Sequence, residues 1–159
     1  MKKLSKKRLI LFAIILLFVA IQFIRPEKNN GYIYGKNDFT KSLNTPPEIK
    51  SILEASCFDC HSNKTNSVWY ENIQPVAWWM AHHVEEGKEE LNFSEFHSYK
   101  PKRKIHKLDE VIEQTEKDEM PPTYYKLMHT NSKLDDDKKK KIIDWARESI
   151  SELKSKYDK

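Results

Sequence analysis

The sequence predicts an all-α domain that follows an N-terminal transmembrane helix, and three observations carry that expectation. Apolar residues recur at helical spacing in four segments after residue 45. No segment shows the sustained alternation that a half-buried strand needs. The chain also opens on a basic cluster, Lys2, Lys3, Lys6, Lys7 and Arg8, followed by an unbroken apolar run from Leu9 to Ile21.

The 16 residues from Leu9 to Ile24 would rise about 24 Å as a helix, short of a bilayer core of about 30 Å. Snorkelling by Arg8 and Arg25 would close the gap. A cleaved signal peptide shares the basic start and compact apolar stretch, but no small-x-small cleavage pattern follows Ala20. Residues 1–26 are therefore expected to be an uncleaved single-pass anchor in the inner membrane, inserted through residues 9–24, with the C-terminal domain facing the periplasm. Residues 27–44 are polar and hold two of the three glycines, which suggests a tether docked locally by Tyr32, Tyr34 and Phe39.

The folded domain is expected over 45–159. Pro46 and Pro47 suit a helix start, and Ile49, Ile52, Leu53 and Cys57 follow at helical spacing, placing Cys57 on a buried face. Pro75 opens a second helix, in which Val76, Trp79, Met80 and His83 share one face and Gly87 stands where a C-terminal stop is wanted. Leu91 to Phe96 reads as a turn with two aromatic anchors. Ile105, Leu108, Val111 and Ile112 mark a third helix that must end near Met120-Pro121-Pro122. The last, from about Asp136 to Lys154, shows Ile142, Ile143, Ala146, Ile150 and Leu153 at helical spacing behind a run of aspartates that favours the helix dipole.

Both cysteines of the chain fall in Cys57-Phe58-Asp59-Cys60-His61. C-x-x-C-H is the attachment signature of a c-type haem, with two thiols for thioethers and a histidine tethered under the iron. Chance would place the residues this way on the order of once in two thousand sequences of this composition. Two rivals use the same cysteines. A zinc site needs a second ligand pair, and His82, His83, His97, His106 and His129 contain no H-x(3–5)-H. A redox dithiol would want a βαβ context, which the flanking sequence lacks.

Charge separates further classes. The first eight residues hold five of the 28 Lys and Arg, leaving 23 against 24 Asp and Glu, so the remainder is nearly neutral and nucleic-acid binding has little electrostatic support. What fills the sixth position of the iron decides the chemistry. Met120 is the leading candidate, because it follows a helix and precedes two prolines that force the chain out of helical geometry. His83 is the alternative, and a histidine on an apolar stripe is also a satisfied core group in many proteins. Trp69, Tyr70, Trp78, Trp79, Tyr124, Tyr125 and Trp145 could line a crevice or serve as core. Lys100 to Lys104 reads as a solvated loop.

With these residues in hand, the chain resembles a bacterial family of small haem-binding-domain proteins common in the Bacteroidetes, and more distantly the monohaem cytochromes c. The matching stretches are Cys57 to Asn63, Trp69 to Val76, His83 to Gly87, Leu91 to Ser94, and Met120-Pro121-Pro122 with Tyr125. The resemblance implies a cytochrome c-like helical fold holding one covalent haem c. One departure is Lys88, where the family often has arginine, so that a propionate contact there would be less bidentate. The expected function is electron transfer with an unknown redox partner protein, without enzymatic activity. The alternative is a haem-based sensor or peroxidase-like enzyme with an open sixth site.

Overall fold

The computed structural model describes residues 5–157 and is all-helical, with no β-strand among the described residues. Its helices are α1 (Lys6–Ile21), α2 (Pro47–Ser56), α3 (Phe58–His61), α4 (Val76–Glu90), α5 (Pro101–Glu116), α6 (Thr123–Met128) and α7 (Asp136–Tyr157).

The expected membrane anchor is overturned. α1 begins at Lys6 and spans 16 residues, and its first three are Lys6, Lys7 and Arg8. Its apolar part thus rises only about 20 Å, against a bilayer core of about 30 Å. No helix among the described residues is long and apolar enough to cross a membrane. The single-pass inner-membrane placement, with a domain facing the periplasm, loses its support with it. Lys2 and Lys3 of the basic cluster lie outside the described residues. The end of α1 is tied to the loop before α4: Gln22 donates through Nε2 to the Gln74 carbonyl (3.2 Å) and accepts at Oε1 from the Gln74 N–H (3.0 Å).

Residues 27–44 are docked rather than free. Gly31 donates its N–H to the Asn63 carbonyl at 2.7 Å and Thr65 donates to Asn29 at 2.9 Å, an approach so close that a Cβ on Gly31 would lie 2.7 Å from the Asn63 oxygen. Asp38 caps the 3₁₀ turn Phe39–Lys41 by accepting the Thr40 N–H. That turn delivers Phe39 and then Leu43 into the core, while Tyr32 stays exposed.

Four phenylalanines, Phe39, Phe58, Phe93 and Phe96, form the centre of the core, each no more than 1 % exposed. Phe39 meets Phe58 and Phe93 edge to face, at centroid distances of 5.6 and 5.4 Å, geometry that suits aromatic quadrupoles. Around them α2 buries Ile49, Ile52 and Leu53, and α5 packs along α7. α7 is capped by Asp135, whose carboxylate accepts the Lys138 N–H at 2.8 Å, and it buries Ile142, Trp145, Ala146, Ile150 and Leu153.

Three local expectations change. α4 runs through Gly87 to Glu90 rather than stopping there. Its Val76 and Trp79 face is exposed, and Ala77 is its only buried residue. Lys100 to Lys104 is the start of α5, not a loop, and Lys104 is buried with Nζ donating to Ser42 Oγ. α6, too short to show a period, is additional.

α5 ends in a Schellman motif with Asp118 in the left-handed region (φ 57°): Glu119 N–H donates to Gln114 and Asp118 N–H to Thr115. Lys139 and Lys126 pair with the Asp118 carboxylate at 2.9 and 3.3 Å, so an aspartate serves where glycine is usual. The chain is thus outside the helix when it reaches Met120.

Phe39→Ala should lower stability by about 3–5 kcal/mol in urea denaturation, whereas Tyr32→Ala should stay within about 0.5 kcal/mol. Equal, small effects would mean that residues 27–44 lie outside the cooperative unit.

Candidate functional site

Every residue of Cys57–His61 is held by a different part of the fold. Cys57 forms the joint between α2 and α3, donating its N–H to Leu53 while its own carbonyl accepts from His61. Phe58 enters the aromatic core. Asp59, buried, accepts from the Asn66 backbone and side chain at Oδ1 (3.0 and 2.9 Å) and from the Tyr125 hydroxyl at Oδ2 (2.7 Å). Cys60 lies against α4, where a Cβ on Gly87 would stand 2.9 Å from the Cys60 carbonyl oxygen. Glycine inside α4 is therefore explained by the approach of α3, not by a helix stop.

His61 has the most informative contacts. Its Nδ1 lies 2.8 Å from the Gly87 carbonyl and 2.9 Å from the Leu91 carbonyl. Both partners can only accept, so Nδ1 carries the proton and donates to both. Nε2 is then the unprotonated nitrogen, free to bind a metal, in the arrangement that orients histidine ligands generally. Burial lowers the His61 pKa, outweighing the two carbonyl contacts and Glu90, and keeps the ring neutral.

A cavity of about 370 Å³ adjoins this ring, lined by Cys57, His61 and Met120 together with apolar Leu91, Phe93, Val111, Leu134 and Ile142. That size is in the range of small-molecule and cofactor sites. Lys107 is the one cation in the lining; Glu110 and Glu90 hold its Nζ at 2.6 and 2.9 Å. Burial works against the Lys107 charge, but the hydrogen bonds to Glu110 and Glu90 raise its pKa overall.

Of the residues singled out in the sequence, Cys57, His61 and Met120 meet at the cavity. Cys60 sits one turn on, against α4. His83 is elsewhere, on α4 against Trp79 and Tyr124 with centroids 4.3 and 5.6 Å away, and its Nδ1 donates to the Trp79 carbonyl. His129 stacks on Tyr125 (4.2 Å) and meets the Tyr70 hydroxyl at 2.6 Å. Lys88 donates to Asn29 Oδ1 at 3.0 Å. Asp59, Lys107 and Tyr125 carry roles that spacing alone does not reveal, although Asp59 lies inside the motif.

The rival uses of the cysteines fare poorly. Burial, with a smaller contribution from Cys60, pushes the Cys57 thiol up to about 12, and burial with Asp59 pushes Cys60 to about 11. Redox dithiols work through lowered values. Among the described residues no group of three or more His, Cys, Asp or Glu converges as a metal cluster, so a four-ligand zinc site has no ligand set.

Comparison with protein families matches residues 16–148 to the haem-binding domain. The chain belongs to the haem-binding-domain family. Its cofactor is haem, and the match spans every element from the second half of α1 into α7. No curated protein and no solved structure gives a match. Within this haem-binding domain the residues that fit the cofactor are the oriented His61 imidazole, the Cys57 thiol with Cys60 one turn on, and the apolar Leu91, Phe93, Val111, Leu134 and Ile142, beside charged Glu90, Lys107, Glu110 and Glu113.

Two predictions follow from the geometry. Gly87→Ala should destabilise the fold and reduce haem incorporation, although alanine is the better helix former by about 1 kcal/mol, because the new methyl meets the Cys60 backbone. Gly35→Ala, with nothing within 4 Å, should be nearly neutral, and chemical denaturation with the haem absorbance per protein measures both. In the haem-free chain, the His61 pKa is lowered by folding, so the unfolded chain takes up a proton first as pH falls below about 6.5. Stability should therefore decline from pH 7.5 to 5.5, and His61→Asn should reduce that decline in denaturation midpoints; an identical pH profile would refute the assignment.

Proposed function

We propose that the chain is a monohaem c-type cytochrome: Cys57 and Cys60 form thioethers to the haem, His61 Nε2 is the proximal ligand, Met120 the distal ligand, and the role is electron transfer rather than catalysis of a substrate reaction. The observation that carries this reading is the two-carbonyl anchor of His61 Nδ1, which leaves Nε2 available in a ring lining the same cavity as Cys57 and Met120.

The chain's own residues supply position and environment. The Gly87 and Leu91 carbonyls at the end of α4 hold the imidazole in one tautomer and increase its donor strength. Leu91, Phe93, Val111 and Ile142 give the cavity apolar walls, and Lys107 is held between Glu90 and Glu110. Bound haem supplies a one-electron couple, and a His/Met pair raises its potential while blocking small ligands.

A second reading, with an open sixth position for sensing or peroxide chemistry, is favoured by one observation: Met120 is 40 % exposed at the cavity edge. Intact-mass analysis of the full chain, produced with haem-maturation machinery, should show one added haem that survives denaturation and disappears in Cys57→Ala/Cys60→Ala. In the wild-type protein the oxidised spectrum should be low-spin with the weak iron–thioether band and unaffected by CO on reduction. Met120→Ala should turn it CO-responsive with a lower potential. A CO-binding wild type would select the second reading, and an unchanged Met120→Ala spectrum would remove Met120 as a ligand.

A further inference from the structure

Asp59, the third residue of the haem motif, is 7 % exposed, and the groups that meet its carboxylate are neutral. Oδ1 accepts from the Asn66 N–H at 3.0 Å and from Asn66 Nδ2 at 2.9 Å, and Oδ2 accepts from the Tyr125 hydroxyl at 2.7 Å. Three donors and no acceptor are the set that an ionised carboxylate takes. Among the described residues no cation pairs with it. Buried charges are ordinarily paired or bound to a metal, so neutral donors alone leave this one without a counter-charge. The phenol is fixed as firmly as the carboxylate: Tyr125 stacks on His129 with rings 4.2 Å apart and 12° from parallel, and His129 Nε2 meets the Tyr70 hydroxyl at 2.6 Å.

The charge lies beside a point of haem attachment. Asp59 directly precedes Cys60, and its charge adds to burial in raising the Cys60 thiol. On the cavity side the charges are of another kind. Glu90 and Glu110 share Lys107, and their side chains are 76 % and 37 % exposed, so pairing and solvent both weaken their field. Asp59 does not line the cavity, but a charge in the interior acts over several residues without contact. Leaving its propionates aside, a ferric porphyrin core carries one net positive charge and a ferrous core none, because the macrocycle is a dianion. The oxidised haem is thus a counter-charge of the right sign, and one electron taken up from a redox partner removes it.

We propose that Asp59 is a fixed counter-charge for the oxidised haem, held in place by Tyr125, and that it sets the reduction potential below the value the axial ligands alone would give. The inference rests on attachment of haem at Cys57 and Cys60. Tyr125 does not line the cavity and acts through Asp59, as a positioning residue.

The test is a spectroelectrochemical titration of the full chain carrying its haem, at one fixed pH, for the wild type, Asp59→Asn, Asp59→Glu and Tyr125→Phe. Asparagine removes the charge and can keep the network, with Oδ1 accepting from Asn66 and Nδ2 donating to the Tyr125 oxygen. The ferrous-to-ferric ratio at a fixed ambient potential should rise about threefold to tenfold, a shift of ~30–60 mV for one electron. Asp59→Glu keeps the charge and should stay closer to the wild type than Asp59→Asn does. A role in packing alone predicts the reverse order, because asparagine is the isostere. Tyr125→Phe leaves the charge with one donor fewer and should lower the potential, and it carries the test where the Asp59 variants take up no haem. A potential that does not rise in Asp59→Asn overturns the proposal, as does one that does not fall in Tyr125→Phe where that variant alone is loaded. Intact mass of the same samples separates the two readings: absence of covalent haem from the wild type overturns both, and covalent haem with an unmoved potential overturns this one alone.

Discussion

The contact between α3 and the end of α4 governs the arrangement of the rest. A helix C-terminus leaves carbonyls without intrahelical donors, and here the Gly87 and Leu91 carbonyls accept from one imidazole N–H. The same approach forbids a Cβ at Gly87, because the Cys60 backbone occupies that space. One residue thus admits the haem motif and, through its carbonyl, orients the histidine of that motif. The loop after α4 continues the bracket: Phe93 N–H donates to the His61 carbonyl at 2.8 Å and Ser94 Oγ accepts from the Asn63 N–H at 3.0 Å.

From that bracket the two unspecified positions of the motif acquire opposite tasks. Phe58 joins the aromatic core with Phe39 and Phe93, and Asp59 turns to the polar network of Asn66 and Tyr125. The motif is thereby fastened to α6 on one side and to the segment before α2 on the other. Met120 arrives from a third direction, released by the left-handed Asp118 and steered by two prolines. Stability and site geometry share these residues, so core substitutions near Phe58 will disturb both.

Legibility in the sequence varied with the range of the forces involved. Helices with long periodic faces were visible: Ile49 to Leu53 of α2 and Ile142 to Leu153 of α7 are buried as their spacing requires, because an amphipathic face reports its own environment. α4 misled, since its apolar Val76 and Trp79 are exposed and its packing rests on alanine and glycine. The membrane anchor failed for a related reason. The sixteen residues from Leu9 to Ile24 read as one span, but the helix starts three charged residues earlier and ends at Ile21, where Gln22 bonds to Gln74. Where an apolar run stops being helical is decided by what its end meets.

By itself the sequence determined the helical class and the C-x-x-C-H motif, and it offered His61 and Met120 as candidate ligands, because motif and local periodicity are written in short spacings. Only the tertiary structure decided that His61 carries its proton on Nδ1, that Met120 rather than His83 shares its cavity, that Lys107 lines that cavity, and that Tyr125 bonds to Asp59. It also decided that Gly87 is a packing residue and that Gln74 is buried without a partner. These depend on which surfaces meet across tens of residues, and no local pattern encodes the distance from one helix's carbonyl to another helix's imidazole.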